Sequence, residues 1–121
     1  MKVKTFRDLL VWQRGMELAR AIYRATAEMP KSEMFALTSQ MRRAATSVPM
    51  NIAEGFGKHS RAELLRGLRI AMGSLMELMT AYELATSMTM IRPSQDILGR
   101  LAEEDRLLQS LINKLVAKGP E

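Results

Sequence analysis

The sequence predicts an all-α fold, an antiparallel up-down four-helix bundle. Apolar residues recur at helical spacing in four long segments, the connections between the segments are short, and no segment shows the alternating pattern of a β-strand. Short connections place consecutive helices antiparallel to each other. A chain of 121 residues can bury one sizeable core but not two. We therefore predict one bundle domain that spans residues 1–121.

The first helix is predicted from about residue 8 to residue 28. Thr5 and Asp8 have the spacing of a capping box, which marks a helix start, and Pro30 follows the predicted end. The apolar positions at helical spacing are Leu9, Trp12, Met16, Ala19 and Tyr23.

The second helix is predicted over about residues 33–56, with Ser32 as its N-cap and Gly57 as its C-cap. Pro49 lies inside this range, and a proline inside a helix costs ~3 kcal/mol and removes a backbone hydrogen bond. We expect the helix to continue through Pro49 with a bend. Its apolar seam consists of Leu37, Met41, Ala44, Ala45, Val48, Ile52 and Phe56.

The third helix is predicted over about residues 61–87 and begins with a capping box formed by Ser60 and Glu63. It is apolar on more than one stripe, whereas a bundle helix of a monomer needs to bury only one face. The surplus predicts a subunit interface and hence a homo-oligomer. The methionines beside its leucines are Met72, Met76 and Met79, and a row of small residues that permits close helix approach consists of Gly67, Ala71 and Ser74.

The fourth helix is predicted over about residues 95–117, after Pro93–Ser94 and before Gly119–Pro120. Three consecutive acidic residues lie in it, but neighbouring side chains on a helix point in different directions and do not form a cation site. We expect a solvated face at Glu103, Glu104 and Asp105.

The net charge of +5 is concentrated in the first half of the chain. Residues 1–60 contain ten Lys and Arg against five Asp and Glu, while residues 61–121 contain eight of each kind. A basic half suggests an anionic partner such as nucleic acid. A solvated surface with a few extra cations is the alternative interpretation.

A group of basic residues on the second and third helices forms the predicted nucleic-acid-binding site. Arginine there could contact phosphate with two parallel hydrogen bonds, and the alternative is internal ion pairing to Glu54, Glu63 or Glu77. No aromatic residue interleaves with the group in sequence, so we expect contacts to the nucleic-acid backbone rather than base stacking. The members are Arg42, Arg43, Lys58, Arg61, Arg66 and Arg69.

A polar stripe lies beside the apolar seam of the second helix, about 100° around the helix axis. Because Pro49 removes one backbone hydrogen bond, we predict a structural network of buried polar side chains here, which would fix helix register. The predicted network consists of Gln40, Ser47, Asn51 and Glu54, together with Glu77 of the third helix.

Catalytic and metal sites have little support in the sequence. His59 is the single histidine and there is no cysteine, which excludes a histidine or thiolate metal cluster. The glycines of "EGFGK" lack the spacing of a phosphate-binding loop. The longest uncharged run has ten residues, too few to span a membrane, and the N-terminus has no signal-peptide core. We expect a cytoplasmic protein that is not an enzyme, with no metal, no cofactor and no membrane partner.

Three segments carry a resemblance to a known family. "FRDLLVWQRGMELARAIY", "LTSQMRRAATSVPMNIAEGFGK" and "LLRGLRIAMGSLMEL" resemble the bacterial four-helix bundle proteins first noticed as reading frames within intervening sequences of large-subunit ribosomal RNA genes. That family includes the accessory variability determinant of diversity-generating retroelements. The resemblance covers about residues 6–91. This chain departs from the family pattern at Met50, where a small residue is usual, and at Lys58, where arginine is usual.

The resemblance implies a homopentamer around a central pore, with a basic surface. In the retroelement members that surface serves nucleic acid and a partner reverse transcriptase. We therefore expect a non-catalytic, oligomeric accessory protein that binds nucleic acid, RNA in particular, through backbone contacts. A scaffold that binds another protein is the alternative. The positions matching the family signature are Arg42, Arg43, Asn51, Glu54, Gly55, Arg69, Gly73, Ser74 and Glu77.

Overall fold

The computed structural model describes residues 2–119, which form four long α-helices and no β-strand. The helices pack around one core in the order in which they occur in the chain, and α2 and α3 have the most extensive contact. The predicted all-α bundle is confirmed. The helices are α1 (Leu10–Thr26), α2 (Leu37–Gly57), α3 (Arg61–Ser87) and α4 (Gln95–Ala117).

Contacts between helices show that neighbours run antiparallel. Ser47 of α2 contacts Ser74 of α3, and a few turns away Gly55 of α2 contacts Gly67 of α3. Residues later in α2 therefore meet residues earlier in α3. The same relation holds between α1 and α4, where Arg14 pairs with Glu103 and Glu17 pairs with Arg100.

The core is mainly aliphatic and is supplied by all four helices. Burial of such side chains contributes roughly 25 cal/mol per Å² of apolar surface removed from water, which makes it the main stabilising term of the bundle. The largest fully buried apolar side chains are Leu18, Ile22, Met41, Val48, Ile52, Leu68, Leu75, Leu78 and Leu108.

The starts of α1 and α2 lie later than predicted. The capping box of Thr5 and Asp8 is present, but it caps a 3₁₀ turn (Phe6–Asp8), and the extended backbone of Leu9 separates that turn from α1. The carboxylate of Asp8 accepts hydrogen bonds from two backbone N–H groups, at Thr5 and Lys4, which lower its pKa. The capping-box pattern was thus identified correctly, but it begins a 3₁₀ turn rather than α1.

Both predicted caps of α2 were wrong. Ser32 lies in a second 3₁₀ turn, Lys31–Glu33, and the backbone N–H of Leu37 instead donates to the Glu33 carboxylate over 3.3 Å. Gly57 is the last helical residue rather than the cap, and the left-handed conformation falls two residues later at His59, with φ 58°. Pro49 is buried inside the continuous helix, as expected.

The bounds of α3 and α4 match the prediction. The Ser60 hydroxyl accepts a hydrogen bond from the backbone N–H of Glu63 over 3.0 Å, and the Ser94 hydroxyl caps α4 in the same way through Ile97. A serine hydroxyl can satisfy one of the free N–H groups that every helix start leaves. The predicted stop of α4 at Pro120 lies outside the described residues, and Gly119 before it has φ 74°.

Glycines bring α2 and α3 into close contact. A Cβ on Gly67 would lie 2.5 Å from the backbone oxygen of Asn51 and 3.0 Å from the Cα of Gly55. Further along, the hydroxyls of Ser47 and Ser74 are 2.8 Å apart. The row of small residues on α3 is therefore occupied within the chain by α2.

Candidate nucleic-acid interface

The predicted basic residues of the interface have different surroundings. Arg43, Arg66 and Arg69 are exposed, Arg61 is half-buried, and none of the four forms an ion pair within residues 2–119. On α3, the exposed arginines share one stripe with Gly73, because positions three and four apart lie on the same helix face. Arg43 of α2 borders the same outer side of the α2–α3 pair, in a groove that it shares with Glu77.

Arg42 has a structural role in the packing of α2 against α1. Its guanidinium donates through Nε to the Thr26 hydroxyl over 2.8 Å and through one terminal nitrogen to the Tyr23 carbonyl over 3.5 Å. The same group lies 4.9 Å from the centre of the Tyr23 ring, a cation–π distance. Arg42 thus ties α2 to the end of α1, and two of its five N–H donors are engaged in this structural contact.

Lys58 is paired. Its ammonium lies 3.6 Å from the Glu63 carboxylate, with about half of the lysine side chain exposed. An exposed pair of this kind contributes no more than ~1 kcal/mol, so a polyanion could compete for the lysine. Among the predicted basic residues, Lys58 is therefore the one for which the alternative prediction, an internal ion pair, is observed within residues 2–119.

The polar stripe of α2 forms a hydrogen-bonded cluster of three side chains. The amide nitrogen of Asn51 donates to both the carbonyl and the hydroxyl of Ser47, each over 2.8 Å, and that hydroxyl also contacts the hydroxyl of Ser74. The cluster links α2 to α3. Three other predicted members are exposed, and their side chains make no hydrogen bond within residues 2–119: Gln40, Glu54 and Glu77.

Glu104 was wrongly predicted as solvated. Its relative exposure is 0%, neither carboxylate oxygen has a hydrogen-bond partner among residues 2–119, and burial raises its pKa to about 8. One oxygen lies beside Gly15 of α1, next to Val48 and Pro49 of α2. A sequence signal did exist, since Glu104 lies three residues after the buried Leu101 and four before the buried Leu108.

Several large apolar side chains are also exposed on the surface. Phe35, in the connection before α2, has 97% of its surface exposed and borders a groove between α2 and α3. A single exposed apolar residue is ordinary, but several together on one side mark an interaction surface. The exposed apolar residues of α2 and α3, with the residue after α3, are Met50, Ile70, Met76, Leu84 and Met88.

Neither a metal site nor a membrane span is found in the described part of the chain. Residues 2–119 contain no group of three or more His, Cys, Asp or Glu side chains that could hold a metal ion. No helix among them is both long and apolar enough to cross a membrane.

The fold and the surface together define a small helical bundle with exposed arginines on its α2–α3 side and an uncovered apolar face. The family model of the 23S rRNA-intervening sequence protein matches residues 7–113, and the chain belongs to this family. The match reaches well into α4, further than the segments in which the sequence itself shows the resemblance. No curated protein matches the chain.

Proposed function

We propose that this protein is a non-catalytic, oligomeric accessory protein of the cytoplasm that binds RNA through backbone contacts and assists a partner enzyme or ribonucleoprotein. The observation that carries the proposal is the set of exposed, unpaired arginines on α2 and α3: Arg43, Arg66 and Arg69. The name of the family, which refers to ribosomal RNA, favours RNA over other polyanions. A reverse transcriptase as the partner rests only on the resemblance to the retroelement members.

Backbone contacts are the mode that these residues support. An exposed guanidinium without an acidic partner can contact phosphate at no cost in broken ion pairs. Arg66 and Arg69 are one helical turn apart on the same stripe, which suits successive phosphates of one strand. Such contacts carry little sequence information, so binding should be general and sensitive to salt.

Self-assembly is supported by the apolar face. Met50 has 67% of its surface exposed, and Met76, Leu84 and Met88 are exposed on the neighbouring side of α3 and just after it. Covering such side chains by a second copy removes apolar surface from water. The resemblance to the family makes a homopentamer the expected state, and a sedimentation mass equal to one chain at micromolar concentration would contradict it.

The RNA proposal is tested by measuring affinity against salt concentration. We expect binding to unrelated RNA duplexes to weaken steeply between roughly 50 and 200 mM salt, and the charge reversals Arg66→Glu and Arg69→Glu each to lower the slope of log affinity against log salt by about one. Arg20→Glu and Arg106→Glu, at exposed sites on α1 and α4, serve as matched controls and should change little. No binding of the wild type at low salt would refute the proposal.

A protein-binding scaffold is the second candidate, and the groove beside Phe35 favours it. That groove has a volume of about 800 Å³, and its lining combines apolar Leu84 and Met88 with the carboxylates of Glu33 and Glu77. Arg43 also lines this groove, and a lining that combines apolar side chains with charges of both signs suits a polypeptide. Under this alternative, Phe35→Ser abolishes complex formation in cells while RNA affinity is absent in all variants.

A further inference from the structure

A second cleft lies at one end of the bundle, away from the outer stripe of Arg66 and Arg69. The end of α2, the turn into α3 and the end of α4 surround it, and its volume is about 420 Å³. The residues that line this end cleft are Phe56, His59, Ser60, Arg61, Leu64, Leu115 and Lys118.

The charges of the end cleft are all of one kind. They are the cations of Arg61 and Lys118; the imidazole of His59 also lines the cleft, and no carboxylate of residues 2–119 does. Four other clefts of the described chain each contain at least one acidic residue: Glu33 and Glu77 in the first, Glu28 and Asp96 in the second, Glu83 in the third and Glu54 in the fourth. The nearby Glu63 is engaged by Lys58, outside the cleft. An anion entering the end cleft would therefore meet two cations, without a competing carboxylate from residues 2–119.

The remaining lining is apolar and includes an aromatic ring. Phe56 is half-buried at the end of α2, and Leu64 and Leu115 contribute aliphatic surface from α3 and α4. A half-buried ring presents surface on which a planar group can stack. The volume is within the range of small-ligand sites, at roughly 300–1,000 Å³. The preferred ligand should combine a negative charge with a planar, partly apolar group.

We propose that the end cleft binds one unpaired nucleotide, with its base against Phe56 and its phosphate between Arg61 and Lys118. This inference rests on the proposed RNA binding and adds to it a preference for single-stranded or frayed ends over the interior of a duplex. Bases inside a duplex are stacked on each other and cannot reach the ring. The spacing of residues along the chain did not suggest a contact between a base and an aromatic ring. Phe56 is placed for such a contact because it lies where α2 and α3 meet.

The single histidine makes the test direct. His59 lies in the cleft, so its ring signals in a proton NMR spectrum of the full chain have one origin, while the single Trp12 lies on α1 against Phe6 as an internal reference. We expect adenosine monophosphate to shift the His59 signals and leave those of Trp12 in place. The unphosphorylated nucleoside and inorganic phosphate, added separately, should each shift them less.

Variants separate the cleft from the general RNA surface. Phe56→Leu keeps apolar volume and should weaken binding of a short single-stranded RNA roughly tenfold, with duplex binding unchanged. Lys118→Gln should remove the advantage of a terminal phosphate over a terminal hydroxyl, and Arg106→Gln is its matched control on α4. Circular dichroism of each variant checks that the bundle is folded.

The outcomes distinguish this inference from the proposed function. Salt-sensitive duplex binding that depends on Arg66, with no effect of Phe56→Leu on single strands, would overturn the end-cleft proposal and leave the proposed function in place. His59 signals that stay fixed with millimolar nucleotide would also overturn it. Shifts of His59 by nucleotide without any RNA binding would identify a site for free nucleotides and refute the proposed function. An acidic peptide that shifts His59 as strongly as nucleotide would show that the cleft accepts any anion, against the proposal.

Discussion

At two places in this bundle a glycine lets another group approach a helix backbone, and the approaching groups differ. Between α2 and α3, Gly55 and Gly67 bring two backbones together, and a Cβ on Gly67 would lie 2.5 Å from the Asn51 carbonyl oxygen. Between α1 and α4, Gly15 makes room for the carboxylate of Glu104, 2.9 Å from where its Cβ would be. A backbone cannot retreat without moving a helix, whereas a side chain can change its rotamer.

The two places also differ in polarity. The α2–α3 contact is accompanied by satisfied polar groups, the hydrogen-bonded side chains of Ser47, Asn51 and Ser74. The carboxylate of Glu104 has no hydrogen-bond partner in the described part of the chain. One contact is therefore rigid and insensitive to pH, and the other is adjustable and sensitive to it.

The largest effect is expected for Gly67→Ala. The added Cβ would overlap the backbone of α2, so the two helices must separate, and we expect a loss of about 3 kcal/mol in the free energy of unfolding despite the better helix propensity of alanine. Gly73→Ala is the matched control, because Gly73 lies on the same helix with nothing within 4 Å of its Cβ position. The control should be neutral or stabilised by up to ~1 kcal/mol. Urea denaturation measures both, and equal stability of the two variants would contradict the expectation.

The second effect is a loss of stability as pH rises, which comes from Glu104. Burial, assisted by the negative charge of Glu103 and opposed by Arg14 on α1, raises the pKa of its carboxyl to about 8. The Gly15 Cβ position that one carboxylate oxygen approaches also lies within 4 Å of the apolar Val48 and Pro49 of α2. The buried residues of α3 include one titratable group, Tyr82, whose hydroxyl accepts a hydrogen bond from the Ser94 N–H.

The direction of that effect follows from proton binding. An ordinary glutamate has a pKa of 4.5, so between pH 4.5 and about 8 the folded protein binds more protons at Glu104 than the unfolded chain does. The contribution of Glu104 to the free energy of unfolding is therefore fully present below pH 4.5. It decreases between pH 4.5 and about 8, and the free energy of unfolding is lowest above about 8. The total loss is on the order of a few kcal/mol, since each pKa unit corresponds to ~1.4 kcal/mol.

Denaturation at a series of pH values, with Glu104→Gln and the exposed-site control Glu83→Gln, measures this loss. Glu104→Gln should flatten the dependence of unfolding free energy on pH between about pH 5 and 9, because the glutamine amide does not titrate in this range. Glu83→Gln should keep the wild-type slope. The same slope in all three proteins would mean that Glu104 is ionised in the folded state. A carboxylic-acid stretching band at neutral pH, missing from Glu104→Gln alone, would identify the protonated form directly.

A smaller effect is expected for Gly15→Ala. The new Cβ meets a movable carboxylate oxygen of Glu104 and lies at 3.4 Å from a Val48 methyl, so we expect a loss of about 1 kcal/mol. In the background of Glu104→Ala the oxygen is gone, and the same substitution should be neutral or stabilising. A double-mutant cycle measures this coupling. Additive effects would show that Gly15 and Glu104 do not constrain each other.

The smallest effect is expected for Ser74→Ala, which removes one hydroxyl from the α2–α3 cluster. The hydrogen bonds from Asn51 to Ser47 remain and the site is only partly buried, so the loss should be about 0.5–1 kcal/mol, the net contribution of one hydrogen bond. Thermal unfolding can resolve it, with Thr80→Ala at an exposed site of α3 as the control. A loss as large as that of Gly67→Ala would mean that the polar cluster, rather than the glycines, sets the helix separation.

The sequence predicted the bundle and the bounds of α3 and α4, because their serine caps act locally. The start of α2 depends on the Glu33 carboxylate and an intervening 3₁₀ turn, which no simple capping pattern indicates. The charge and spacing of the sequence identified the arginines as candidates. They could not predict which groups each arginine contacts in the folded protein. Arg42 is held by Thr26 and Tyr23 of another helix, and such contacts become visible only when the helices pack.

The close α2–α3 contact also bears on the order of folding. Only Lys58, His59 and Ser60 separate the two helices, so closing this hairpin loses little chain entropy, and the glycine contact can form at once. The pairing of Glu17 with Arg100 must instead bring together residues from opposite ends of the chain. We expect the α2–α3 hairpin to be formed in the folding transition state and α1 and α4 to dock afterwards. Substitutions at Gly67 should then slow folding, while those at Gly15 should chiefly speed unfolding.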